Sequence, residues 1–366
     1  MHPRLSALAA QGQAIWLDSI DRNLLESGGL AALIEQGVTG VTTNPTIFHK
    51  AITAGAEYDS SIRAWLAAHP DGETHALLDA LMVEDVGSAA DLLRDVYERS
   101  GGDDGYVSLE VSPLLAHDTD ATIAAARRLF DAVDRPNVMI KIPATAAGLP
   151  AIEAALADGI NVNVTLLFAV SRYLEVLHAW REGVTRLAAP GSVASVASFF
   201  VSRIDTLVDR ALEELGSEDA LALRGQVAIA NARRAWAEFS AFMASPEVTA
   251  LRGRGTRVQR LLWGSTGTKN EAYPDVLYVD ELIGRDTVNT LPPATLEAFL
   301  HHGTVADTLG GRAEAADESL RRVERMGISM AAVTAQLERE GVEAFAEAYR
   351  KLLAALDARR ERLHAG

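Results

Sequence analysis

Eight short runs rich in β-branched and aromatic residues alternate with longer segments of helical periodicity, and no other feature of this chain restricts its fold as much. The runs are AIWLDS (14–19), GVTGVTTN (37–44), GYVSLEV (105–111), NVMIKIPA (137–144), NVNVTLLF (161–168), SVASVASFF (192–200), RVQRLLWGS (257–265) and DTVNTLP (286–292). Segments such as TDATIAAARRLFDAV, LPAIEAALADG and AVSRYLEVLHAWREGV lie between them. A strand that leads through a helix to the next strand builds a parallel sheet covered by helices. Eight such units predict an α/β fold, a (β/α)8 TIM barrel with additional helices, which takes about 250 residues before insertions. The surplus of a 366-residue chain has clear places to go: two helical patterns in 46–100, a long one in 218–246 and a tail over 294–364. The expectation is one domain over 1–366, with the barrel at about 14–300 and a C-terminal helical extension at about 310–366. An open doubly wound sheet is the rival topology. It carries a Gly-rich turn after its first strand, whereas WLDSIDRN has no glycine.

Composition removes several function classes. The chain has no cysteine, which excludes disulfides, zinc–thiolate sites, iron–sulfur clusters and cysteine nucleophiles. Nine scattered histidines show no ligand spacing, so no metal site is expected, and His301 and His302 close a helical pattern. The formal net charge of −16 repels nucleic acid and anionic lipid. No run of about 18 apolar residues is present to cross a bilayer. MHPRLSALAAQGQ lacks the apolar centre of a signal peptide. The expectation is a cytoplasmic protein, monomer or homodimer, without a nucleic-acid or membrane partner.

Side-chain alternation along the strands carries the chemical reading. Trp16 shares a face with Asp18, Thr42 with Asn44, Ser108 with Glu110, Met139 with Lys141, and Asn161 with Asn163 and Thr165. Ser198 and Phe200 share a face with Val196, while Ile140, Ile142, Val162 and Val164 point the other way. One face of most of these strands is thus apolar, for the helix layer. The other turns polar near the C-terminal end, where barrels place their active sites. Asp18, Asn44, Glu110, Lys141, Asn163, Thr165 and Ser198 then converge. Any one of them alone reads equally as a helix cap or a packing layer; the shared parity and the lysine together do not.

A lysine in an apolar barrel is desolvated, which favours the neutral amine, and a neutral amine attacks a ketone to form a Schiff base. Arginine cannot do this. Only four of the 34 basic residues are lysine, so Lys141 inside an apolar strand stands out. Glu110 and Asp18 are the carboxylates available to carry protons. A buried ion pair between Lys141 and Glu110 is the purely structural alternative. Asn44, Asn163, Thr165 and Ser198 offer neutral donors and acceptors for hydroxyl groups or an ordered water. Arg203, at the start of SRIDTLVDRALEEL, and Lys269, in GSTGTKN, follow late strands, where barrels bind phosphate.

GVTTNPTIF, IKIPAT, INVNVTLLF and SFFVSRID resemble the transaldolase family, in order, over about residues 14–300. The resemblance implies a metal-free class I Schiff-base barrel with no cofactor and with sugar-phosphate substrates. Such an enzyme moves a dihydroxyacetone unit from sedoheptulose 7-phosphate or fructose 6-phosphate to glyceraldehyde 3-phosphate or erythrose 4-phosphate, in the non-oxidative pentose phosphate pathway. By the same resemblance Lys141 forms the Schiff base and Asp18 is the acid/base at the donor's C4 hydroxyl. Glu110 shuttles protons through a water that Thr165 helps hold. Asn44, Asn163 and Ser198 bind the dihydroxyacetone hydroxyls, Phe200 shapes the pocket, and Arg203 binds phosphate. The chain departs from the family pattern behind strand seven. Many transaldolases carry an arginine shortly after a serine there, whereas WGSTGTKN offers Ser265 and Lys269 over a longer loop. Two rivals stay open: an aldolase that cleaves fructose 6-phosphate without transfer, and a catalytically silent barrel acting as a binding module.

The remaining signals carry less. GSTGTKN lacks the spacing of a nucleotide phosphate loop. LRGRGTRVQR reads as a solvated loop or salt-bridge cluster, and LLAALDARRERL as an amphipathic helix packed on the barrel or on a second subunit.

Overall fold

The structure is a computed structural model that describes residues 1–189 and 191–365. Its eight strands are β1 Gln13–Leu17, β2 Gly40–Val41, β3 Tyr106–Glu110, β4 Val138–Pro143, β5 Val162–Leu167, β6 Ser195–Phe200, β7 Gln259–Gly264 and β8 Thr287–Leu291. Each pairs in parallel with the next, and β8 pairs with β1, which closes the barrel. All eight coincide with the runs read from the sequence; the 37–44 run is a strand only at its centre.

The interior is layered. Trp16, Tyr106, Met139, Val196, Leu262 and Val288 form a small apolar cluster inside the ring, separate from the large core between strands and helices. Asp18, Lys141 and Ser198 lie two residues beyond Trp16, Met139 and Val196, so the strand period places them one layer higher on the same inner face. Gly40 makes room at the lower level. A Cβ there would stand 2.6 Å from three atoms of the Trp16 indole, the largest side chain in that cluster.

Helices differ in number from expectation in two places. The segment 46–100 holds parts of four helices, Pro45–Ala54, Asp59–Ala68, Thr74–Leu92 and Arg94–Arg99, rather than two. Gly55 and the Pro70–Asp71–Gly72 turn break the periodicity, as helix-incompatible residues do. The segment 218–246 holds Glu218–Leu221 and Val227–Met243, divided at Gly225 with φ 70°, and ends where Ser245 caps Pro246–Gly253. Helix Pro3–Ala10 precedes β1, and Arg4 ties it to the carbonyls of Leu300 and Gly303.

After β8 the chain forms Pro293–His302, Ala313–Arg325 and the 36-residue helix Met330–Ala365. The last packs against Pro45–Ala54, Asp59–Ala68, Thr74–Leu92, Ser202–Leu215 and β5. Its buried Arg359 donates to the carbonyls of Ile52 and Gly55 and pairs with Asp59 at 2.7 Å. The amphipathic pattern of the C-terminus thus serves the barrel.

The fit of Gly40 against Trp16 is testable. Gly40→Ala is expected to lower unfolding stability by about 1–3 kcal/mol, read from urea midpoints, with far-UV circular dichroism unchanged. Gly87→Ala, in the helix Thr74–Leu92 where a Cβ meets nothing within 4 Å, is expected to be neutral or stabilising by up to about 1 kcal/mol.

Candidate active site

The strands open at their C-terminal ends into a cavity of about 800 Å³. Lys141 lines it, level on β4 with Glu110 on β3 and Asn163 on β5. The Lys141 side chain is 5% exposed; Nζ donates to the carbonyl of Thr43 at 3.0 Å and stands 3.5 Å from Glu110 Oε2. Thr43 is fixed in turn, its hydroxyl donating to the carbonyl of Ser108 at 2.7 Å. Among the described residues, Glu110 Oε2 has no hydrogen-bond partner. Burial pushes the Glu110 carboxyl up to about 7, against the opposing pull of Lys141 and with some help from Asp18. A carboxylate so raised accepts a proton more readily than an ordinary one, which lowers the cost of freeing the amine beside it.

Asp18 follows β1 on the same wall. Its Oδ1 accepts from the Thr42 hydroxyl at 2.9 Å, and Thr42 lies 2.6 Å from the Thr290 hydroxyl. Thr42 has one proton; when it donates to Asp18, Thr290 donates to Thr42. Burial raises the Asp18 carboxyl, while Lys141, the Thr42 hydrogen bond and Lys269 oppose the rise. Both carboxylates therefore hold their protons more readily than exposed ones do.

A ladder of neutral groups runs across β6, β5 and β3, the last two flanking the strand of Lys141. Ser198 Oγ donates to Asn163 Oδ1 at 2.7 Å, and Asn163 Nδ2 donates to Ser108 Oγ at 2.9 Å. Thr165 is fully buried, and its hydroxyl has no partner among the described residues. Just beyond it Leu166 takes φ 58° and the β5–β6 register shifts by one residue, an irregularity of the kind found beside functional sites. Asn44 does cap a helix: its Oδ1 accepts from the N–H of Ile47 at 3.0 Å. It lines the cavity as well.

The remaining wall carries positive charge. Arg203 lies in the first turn of Ser202–Leu215, with its guanidinium 5.5 Å from the centre of the Phe200 ring. It is half-buried, and among the described residues it makes no hydrogen bond or ion pair. Burial disfavours its charge and Glu340 offsets this only in part. Ser265, at φ 53°, places its hydroxyl 3.0 Å from that of Ser202. Lys269 is exposed on the following loop but borders the cavity. That loop is fastened where Tyr273 donates to Asp209 at 2.6 Å.

Of the eleven residues singled out in the sequence, Asp18, Asn44, Lys141, Ser198, Phe200, Arg203, Ser265 and Lys269 line the cavity. Glu110, Asn163 and Thr165 do not; all three are buried, Glu110 beside Lys141 and Asn163 bonded to Ser198. Sequence reasoning missed Thr290, Lys50 and Phe345, which also line it, and the supporting role of Thr42. Strand parity points to Thr42 and Thr290. Nothing local points to Phe345, which arrives from the C-terminal helix. Among the described residues no group of three His, Cys, Asp or Glu could hold a metal ion, and no helix is long and apolar enough to cross a membrane.

Residues 15–356 match the family described as Transaldolase/Fructose-6-phosphate aldolase. Transaldolase 1 of Streptomyces coelicolor is 50% identical over 358 residues, covering 96% of this chain and 93% of that protein. The transaldolase of Thermobifida fusca is 50% identical over 355 residues, covering 95% and 96%. That of Mycolicibacterium smegmatis is 47% identical over 358 residues, covering 96% of each. Matches of this length take in the barrel, its late loops and most of the closing helix, and so the chain belongs to the transaldolase/fructose-6-phosphate aldolase family.

Proposed function

We propose that this chain is a transaldolase: it transfers a dihydroxyacetone unit from a ketose phosphate to an aldose phosphate through a Schiff base on Lys141. The observation that carries this reading is the Lys141 amine 3.5 Å from a raised Glu110, opening on a cavity walled by an unpaired Arg203. Lys141 Nζ attacks the donor's C2 carbonyl, and water leaves as the iminium forms. Asp18 takes the proton of the C4 hydroxyl; the C3–C4 bond breaks, its electrons pass to the iminium, and an aldose phosphate departs. The enamine left on Lys141 adds through C3 to the acceptor's aldehyde carbon, and Asp18 returns the proton. Glu110 moves protons at Nζ and at the departing or attacking water, with Thr165 as that water's second contact. Two buried oxygens with no hydrogen-bond partner among the described residues, Glu110 Oε2 and Thr165 Oγ1, support a water there. Asn44, Asn163 and Ser198 hold the fragment's hydroxyls, with the Ser198–Asn163–Ser108 bonds fixing their orientation. Phe200 shapes the pocket beside Arg203, and Arg203, Ser265 and Lys269 bind phosphate. Sedoheptulose 7-phosphate or fructose 6-phosphate is the donor and glyceraldehyde 3-phosphate or erythrose 4-phosphate the acceptor, in the non-oxidative pentose phosphate pathway. The chain works as a single domain over 1–366, since the closing helix completes the cavity wall.

Borohydride added with fructose 6-phosphate is expected to fix a reduced three-carbon adduct on the Lys141 peptide, read by mass spectrometry. An unmodified peptide would remove the Schiff-base reading. Lys141→Arg, which keeps the charge and has no nucleophile, is expected to form no adduct and to lose turnover by at least about 10³-fold. Fructose 6-phosphate turnover that is as fast without erythrose 4-phosphate as with it would indicate cleavage instead of transfer.

Arg203→Ala is expected to lower kcat/KM for fructose 6-phosphate about 10- to 100-fold, the worth of a lost charge-assisted hydrogen bond, and to act mostly through KM. Equal losses with unphosphorylated fructose would speak against a phosphate role.

Glu110 also marks the pH dependence of stability. Its folded value of about 7 lies above the ordinary 4.5, so the folded state keeps a proton that the unfolded chain releases. The stability this gives is fully present below about 4.5 and is lost as pH rises through about 7. Glu110→Gln has no such proton to lose. Its urea midpoint is expected to gain on that of the unaltered protein between pH 5 and 8; a constant difference would show that Glu110 ionises normally.

A further inference from the structure

The closing helix Met330–Ala365 does more than brace the barrel. Its inner stripe, Val342, Phe345, Tyr349, Leu352 and Leu356, is buried throughout. Phe345 lines the cavity, with the centre of its ring 5.8 Å from Lys141 Nζ. One helical turn on, Tyr349 and Leu352 border a small recess that also takes in Glu110, Thr43 and Met82. A single helix thus covers the lysine from one side and its carboxylate from another. It is clamped beyond that point, where Arg359 is held by Asp59 and the carbonyls of Ile52 and Gly55, Arg360 donates to the carbonyl of Gly72, and Asp357 accepts from Thr74.

Between the two halves of a transfer reaction, a three-carbon enamine waits on Lys141. If its C3 takes a proton, the iminium returns. Water can then add at C2, the C2–Nζ bond breaks, free dihydroxyacetone leaves, and Lys141 recovers its amine. Transfer requires that this sequence lose to arrival of the acceptor. The iminium nitrogen is Nζ itself, and Phe345 is the aromatic ring the structure sets over it. An aromatic face within about 6 Å attracts a cation, and its bulk takes space that water would occupy.

We propose that Phe345 is a specificity-determining residue that sets the partition between transfer and hydrolytic release, by covering the Lys141 adduct with the aromatic face of the C-terminal helix. The proposal rests on the Schiff-base reading above. It assigns the helix a chemical task, distinct from those proposed for Phe200 and Arg203.

The test compares the full-length unaltered protein with Phe345→Leu and Phe345→Ala. Release is measured as free dihydroxyacetone from fructose 6-phosphate alone, and transfer as sedoheptulose 7-phosphate formed when erythrose 4-phosphate is present. Phe345→Ala is expected to raise the ratio of release to transfer about tenfold. Phe345→Leu, which keeps an apolar cover but loses the aromatic face, is expected to raise it about threefold, and it carries the test alone if the alanine variant fails to fold. Borohydride trapping on Lys141 accompanies each measurement. A trapped adduct with an unchanged ratio, or with both rates falling in proportion, overturns the role of Phe345 and leaves the Schiff base standing. Absence of the adduct in the unaltered protein overturns both.

Discussion

Lys141 Nζ and Glu110 Oε2 stand 3.5 Å apart inside a closed barrel, each side chain 5% exposed. Moving two such charges out of water costs several kcal/mol per ion, and their attraction repays this only when the geometry is good and the remaining lone pairs and protons are satisfied. Here they are not. The amine has one carbonyl partner, and Glu110 Oε2 has no hydrogen-bond partner among the described residues. Apolar residues of the same volume would serve stability as well or better. What burial does give the pair is a carboxyl raised to about 7, ready to take or give a proton beside the amine. That is a poor structural bond and a good chemical one.

The architecture around the pair follows from keeping it dry from below and accessible from above. Trp16, Tyr106, Met139, Val196, Leu262 and Val288 seal the interior beneath it, and Gly40 gives the indole its space. Around the pair the strands carry neutral polar groups that satisfy one another: Ser198 to Asn163 to Ser108 on one side and Thr290 to Thr42 on the other, where Thr42 in turn serves the Asp18 carboxylate. Neutral hydrogen bonds orient donors and acceptors without adding further buried charge. Above, the C-terminal helix closes part of the mouth with Phe345 and Tyr349 and leaves the rest open toward Arg203 and Lys269.

Much of this could be read from the chain because strands repeat every two residues. Parity alone put Asp18, Glu110, Lys141, Asn163 and Ser198 on the inner face, and the strand count gave closure. Two kinds of feature escaped. The first is exposure to the cavity: alternation says which face a side chain takes, not whether its neighbours cover it. Glu110, Asn163 and Thr165 share the parity of Ser198 yet sit behind the cavity surface. The second is long-range packing. Phe345 and Lys141 are separated by most of the barrel in sequence, and the helix that carries Phe345 shows only an ordinary apolar stripe. The helices in 46–100 and 218–246 were miscounted for a simpler reason. Their breaks rest on single glycines, one Pro–Asp–Gly turn and, at Leu93, no helix-breaking residue at all.

Charge placement links the site to the rest of the molecule. A chain with a net charge of −16 repels an anion at long range, so any attraction must be local and lightly screened by its own carboxylates. Basic side chains elsewhere are largely committed: Arg22 to Glu84 and Asp85, Arg233 to Glu281, Arg359 to Asp59 and two carbonyls. The lysines divide the same way. Lys351 pairs with Glu347 on the outer surface, while Lys50, Lys141 and Lys269 all border one cavity. Arg203 is there too, half-buried and without a hydrogen-bond or ion-pair partner among the described residues. A desolvated cation left unpaired in an acidic protein is costly unless an anion completes it. On the proposed transaldolase reading, the phosphate of a sugar phosphate is that anion, and Lys141 lines the same cavity to meet its carbonyl.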